Sequence, residues 1–163
     1  MTGPDADLAT RTARTARSNA LSILVIAGLA TLWSAFQGDL PFVGFGAALC
    51  VAAAAELAGS KRLVADPAGA APLLIGGELA VLVLIAGYSL WRLVGFDYDA
   101  ELAALPADAR ELLVGMAGDE ELLRQALTLT NRLVYGCLLL VTLLYQGGMA
   151  RFYRRRTAAL GVA

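Results

Sequence analysis

The chain of 163 residues has no histidine, a single lysine and only two cysteines. Without an imidazole, bis-histidine haem ligation, histidine acid–base catalysis and most zinc sites are excluded. Cys50 and Cys137 stand alone with no C-x-x-C pair, so paired-thiol chemistry is unexpected and both read as small apolar fillers. No Walker loop, no G-x-G-x-x-G after a strand and no catalytic serine motif occurs. We therefore expect no catalytic residue, no cofactor and no metal ligand, and read the chain as non-enzymatic. No basic domain exists and no basic patch is interleaved with aromatic side chains, which argues against nucleic acid as a partner.

Charge of either sign is also scarce. Charged residues make up 17% and hydrophobic residues 58%, against roughly 25% and about 45–50% in soluble domains. The net charge of −1 excludes nothing by itself. Arginine in place of lysine, with abundant alanine, points to a GC-rich bacterial coding bias.

What the chain does have is four apolar runs, at about 18–37, 40–59, 73–94 and 126–150. A helix of about 20 residues, rising 1.5 Å per residue, crosses roughly 30 Å of hydrocarbon. Pro41 and Pro72 read as helix starts, where a missing N–H costs nothing. Four such runs leave too little polar chain to cover them in water. The predicted fold class is all-α: an integral membrane bundle of four transmembrane helices, up-down, with a short amphipathic helix between the third and fourth. The first run could be read as a signal peptide, since its flank is basic. Its apolar stretch is long, however, no small-x-small site follows, and the second run begins almost at once after "QGDLPF".

Lysine and arginine in the flanks set the expected direction. Arg11, Arg14 and Arg17 precede the first run, Lys61 and Arg62 follow the second, and Arg151, Arg154, Arg155 and Arg156 follow the fourth. The opposite side holds Arg92, Arg110, Arg124 and Arg132 with most of the acids, eight of them between Asp97 and Glu121. Nine basic residues against four place both termini in the cytoplasm of a bacterial inner membrane. The expected organisation is a basic N-terminal segment 1–17, a transmembrane domain 18–150 and a basic tail 151–163. Within the outer segment 96–125, Pro106 is placed to open a short helix, Gly118 to break it and Asp119 to cap the next. The repeated Thr-Ala-Arg of "TRTARTAR" and the "RFYRRR" tail read as anchors beside anionic lipid.

Polar residues inside the runs carry the candidate site. Glu56, Glu78, Gln146 and Ser22 all fall at nearly one depth, about five or six residues from the inner boundary. On the fourth helix, Thr128, Asn131, Tyr135, Thr142, Tyr145 and Gln146 share one sector, opposite Leu129, Leu133, Val134, Leu140, Val141, Leu143 and Leu144. A polar stripe in hydrocarbon turns toward protein or water. Glu78 is thus expected near Tyr145 and Gln146, and Arg92 near Thr128 and Asn131. The plain reading is interhelical glue, with small faces such as Gly44–Ala48–Ala52 and Gly76–Ala80 for close packing, and with the acids snorkelling to Lys61, Arg62 or Arg151. The sharper reading is a carboxylate pair in low dielectric that exchanges a proton or a cation.

Two functional classes follow, with the lipid bilayer as first partner in both. One is a membrane subunit that assembles with itself or with another membrane protein. The other is an oligomeric channel or small carrier for protons, cations or small solutes, built on Glu56, Glu78 and the polar face of the fourth helix. If Glu78 and Asn131 line a water-accessible space, the channel gains; if they are sealed within one protomer, the subunit does.

Overall fold

The computed structural model describes residues 3–162, and all the regular structure among them is helical. Six helices follow in order: α1 (Pro4–Gln37), α2 (Leu40–Arg62), α3 (Pro67–Val94), α4 (Tyr98–Ala103), α5 (Ala107–Ala117) and α6 (Glu120–Ala159). Helices α1, α2, α3 and α6 are each long and apolar enough to cross a membrane, which fits a membrane protein. At 1.5 Å per residue, α1 and α6 reach about 50 and 60 Å, well past the roughly 30 Å of a hydrocarbon layer. The basic stretches at both chain ends are therefore continuations of long helices.

One expectation about the prolines is corrected here. Pro72 lies inside α3, not at its start. Pro67 takes the first helical position, and Asp66 just before it accepts the Gly69 N–H at 2.9 Å. That cap starts the helix early. The connection from α2 shrinks to four residues, and Pro72 forgoes one backbone bond near the helix end.

The chain falls into two compact units. The first gathers the residues up to Leu84 with those from Thr142 onward. Its α1–α2 turn is made by Gly38, left-handed at φ 74°, and by Asp39, which accepts the Phe42 N–H at 3.2 Å. Each helix of this unit turns a helical stripe inward: Ala9, Thr12, Ala16, Asn19, Ala20 and Ala27 on α1; Ala52, Ala53, Glu56, Gly59 and Ser60 on α2. On α3 the stripe is Ala70, Leu74, Gly77, Glu78 and Val81, and on α6 it is Thr142, Gln146, Ala150, Tyr153 and Thr157. The spacing is that of one helix face. Small residues dominate, so backbones approach closely, as they do where helices pack in lipid. A side chain at Gly77 would sit 3.0 Å from the Ala52 carbonyl oxygen, and one at Gly59 would sit 3.0 Å from Leu73 Cβ. Gly46 leaves room for Thr31 in the same way. Gly44 and Gly76, expected at close contacts, instead face open space. An apolar cluster of Ala16, Leu63, Ala70, Leu74 and Tyr153 closes this packing at the end that bears the basic flanks.

The second unit is Ile85–Val141. Its core is Tyr98, Leu102 and Leu123, with Phe96, Leu113, Ala117 and Leu127 against it. Helix α4 has no counterpart in the sequence reading; Asp97 starts it by accepting the N–H groups of Asp99 and Ala100. Helix α5 begins after Pro106 and ends at the left-handed Gly118, and Asp119 accepts the Glu121 N–H at 3.1 Å as α6 begins. Leu112 and Met116 of α5 remain exposed.

Candidate functional site

The chemistry of the first unit centres on Asn19. Its amide nitrogen donates to Glu56 Oε1 and Oε2, both at 3.1 Å, and to Glu78 Oε1 at 2.6 Å. Its amide oxygen accepts the Tyr145 hydroxyl at 2.8 Å. Tyr153 donates its hydroxyl to Glu56 Oε1 at 2.6 Å. Five side chains from four helices thus meet in one hydrogen-bonded cluster. Both carboxylates are 0% exposed.

Each position follows from its helix stripe. Glu56 continues the small face of α2 one turn beyond Ala52 and Ala53, where Gly77 lets α3 come close enough to bring Glu78 alongside. Asn19 is the one long polar side chain in an alanine stripe on α1. Tyr153 lies seven residues beyond Gln146, two turns along the same face of α6.

The electrostatics are unusual for so buried a place. Among the described residues, neither carboxylate ion-pairs with a lysine or arginine; the ion pairs are Arg11–Asp7, Arg92–Glu101 and Arg124–Asp99. Lys61, Arg62 and Arg151 are exposed and do not take up the acids. A buried carboxylate without a counter-charge costs several kcal/mol even after relaxation. Glu78 Oε2 and Gln146 Oε1 are buried acceptors with no hydrogen-bond partner. No group of three His, Cys, Asp or Glu residues suited to a metal gathers among the described residues.

Of the residues singled out in the sequence, Glu56, Glu78 and Tyr145 join the cluster directly, and Gln146 is buried on the α6 stripe. Tyr145 keeps 52% of its surface exposed although its hydroxyl is engaged. Ser22 stands apart, exposed and bonded to the Ser18 carbonyl on its own helix. Asn131 and Arg92 belong to the second unit. There Asn131 donates to the Arg92 carbonyl at 3.1 Å, and the Arg92 guanidinium pairs with Glu101 at 2.7 Å and lies over the Tyr135 ring. The basic anchors Arg11, Arg14, Arg17, Arg154, Arg155 and Arg156 are all exposed.

Asn19 and Tyr153 are the site residues that sequence reasoning missed. Asn19 fell at the edge of the first apolar run and Tyr153 among the arginines of the tail. The inward stripe of alanines on α1 and the seven-residue step from Gln146 were the clues to them.

No protein-family model matches the chain, and no curated protein and no solved structure matches it.

Proposed function

We propose that the chain is a non-enzymatic, multi-pass membrane subunit: an up-down bundle of four transmembrane helices, in a bacterial cytoplasmic membrane with both termini cytoplasmic, that assembles with copies of itself or with another membrane protein. One observation carries the reading. The polar side chains are sealed, Glu56 and Glu78 within the first unit and Asn131 within the second, and they are spent on contacts between helices of one chain. Polar groups used in this way act as glue between helices in lipid. The outward faces support the same role. Leu129, Leu133, Leu140 and Leu144 are exposed on α6, and Gly44 offers backbone that a further helix can approach. Gathering of Ala16 of α1, Leu63 just after α2, Leu74 of α3 and Tyr153 of α6 at the arginine-rich end supports termini on a common side.

The mass of the purified protein in mild detergent tests the reading. We expect a defined multiple of the 17.0 kDa protomer, or a stoichiometric complex with a second membrane protein after crosslinking in the native membrane. A lone 17.0 kDa species in both measurements would refute it. An oligomeric channel or small carrier for protons, cations or small solutes is the second reading, favoured by two buried acids that no basic side chain among the described residues neutralises. In proteoliposomes it requires Glu56→Gln and Glu78→Gln to abolish transport. Variants that transport as well as the parent would leave the pair purely structural.

A further inference from the structure

We propose that Glu56, Glu78 and Asn19 form a binding site for a small hard cation, with the Asn19 amide as a plug that turns into a ligand when the ion enters. This goes beyond a role in assembly, since binding requires neither an oligomer nor translocation.

The geometry supplies the first argument. One amide nitrogen is held 2.6–3.1 Å from three carboxylate oxygens. It carries only two hydrogens, so one of them must be shared between the two Glu56 oxygens. Its place lies between two carboxylates that no lysine or arginine among the described residues neutralises, where a positive ion can enter in exchange for any proton the acids hold. The second argument is independent of those bonds. Glu78 Oε2, on a side chain 0% exposed, has no hydrogen-bond partner. A buried acceptor left unmade costs about 1–3 kcal/mol, and here its carboxylate already points its other oxygen at the Asn19 position.

The donor set fixes the class of ion. Carboxylate, amide and phenol oxygens are hard ligands, suited to Na+, Ca2+ or Mg2+ and not to metals that favour thiolate or imidazole. The exchange needs one local motion. Turning the Asn19 amide over about its last bond puts Oδ1 where Nδ2 stood, as a further ligand. It also turns Nδ2 toward Tyr145, whose hydroxyl then accepts where it had donated. Tyr153 goes on donating to Glu56 Oε1. No bond is made or broken apart from hydrogen bonds and ion contacts. Tyr145, bonded to Asn19 and half exposed, carries the cluster to the surface.

The test is the thermal unfolding midpoint of the full chain in detergent, titrated with NaCl, CaCl2 or MgCl2 against choline chloride at matched ionic strength. We expect a saturable rise of several degrees with at least one of the metal ions and none with choline; the ion that acts tells one charge from two. Glu78→Gln should unfold cooperatively and lose the rise. Asn19→Asp, which exchanges the plug for a permanent ligand, should be weaker in choline than the parent and gain more from the ion. A parent midpoint indifferent to all three salts overturns the site without reference to any variant. A Glu78→Gln protein that keeps the full rise overturns it as well, because the ion then binds elsewhere.

Discussion

Gly76 and Gly77 are neighbours on α3, yet alanine at the two positions should move stability in opposite directions. At Gly76 a new Cβ meets nothing within 4 Å. Alanine there gains what glycine forgoes in a helix interior, about 0.5–1 kcal/mol. At Gly77 the same atom would lie 3.0 Å from the Ala52 carbonyl oxygen, 3.1 Å from Glu56 Cβ and 3.2 Å from the Glu56 nitrogen. Two of those neighbours are helix backbone, which cannot swing aside as a side-chain tip can. Parting α2 and α3 to admit a methyl group costs about 1–3 kcal/mol, as overpacking generally does. The helix-propensity gain offsets only part of that. Gly77→Ala should therefore fall about 1–3 kcal/mol below Gly76→Ala, and it should disturb the Glu56 cluster at the same time. Unfolding in mixed micelles with rising SDS, followed by helical circular dichroism, measures the difference. Equal stability of the two variants, or the reverse order, would refute the close α2–α3 approach on which the site depends.

Removing the phenol oxygen in Tyr153→Phe leaves Glu56 Oε1 with Asn19 alone; the same assay should show a loss of about 1–2 kcal/mol. A loss that persists unchanged when Glu56 is already alanine would show that the hydroxyl acts through some other contact. Leu74→Ala empties a fully buried position in the apolar cluster and should cost about 2 kcal/mol or more. Leu144→Ala changes a side chain 69% exposed on α6 and should cost under about 0.5 kcal/mol. Similar losses for the two leucines would mean that the inward and outward faces are wrongly assigned.

The four long helices were legible because run length and apolar content are local properties that tertiary packing does not override. Their ends were not, for a related reason: hydropathy marks where hydrocarbon stops, while hydrogen bonding marks where a helix stops. Hence α1 runs on through Arg11, Arg14 and Arg17, and α6 through Arg151 to Arg156. Turn chemistry located α5 through Pro106 and Gly118 but passed over α4, whose six residues carry only the Asp97 cap as a sign. In the site, depth along each helix was readable from residue counting: Glu56 and Glu78 both bond Asn19, while Gln146 is buried on α6. Rotation was readable only where a helix shows two contrasting faces. Helix α6 does: Thr142 and Gln146 are buried, while Leu143 and Leu144 are exposed. Helix α1 is alanine inside and leucine outside, a contrast in hydropathy too weak to mark the face that carries Asn19. The bond from Tyr145 to Asn19 joins residues 126 apart in sequence, which no local pattern encodes.

The two acids, similar in a sequence, are unequal in their surroundings, and that inequality makes the sharpest prediction for the site. Glu56 has both oxygens occupied: Oε1 accepts from Tyr153 and Asn19, and Oε2 accepts from Asn19. Glutamine in its place turns an NH2 group toward the Asn19 NH2 whichever way the new amide is set, and turning Asn19 over to relieve this would set its Oδ1 against Glu78 Oε1. A donor–donor clash in a buried cluster should cost about 1–3 kcal/mol. Glu78 accepts through Oε1 alone. Glutamine there can keep its carbonyl on Asn19 and place its NH2 at the unpartnered Oε2 position, losing no hydrogen bond. It also removes one of two neighbouring acidic groups, a change that relieves repulsion wherever both are ionised. In choline chloride, with no metal ion added, Glu78→Gln should thus match or exceed the parent in thermal unfolding, whereas Glu56→Gln should fall clearly below it. If Glu78→Gln proves the more damaging change even without a metal ion, Glu78 Oε2 has a protein partner, and no free acceptor is left there for an ion to take.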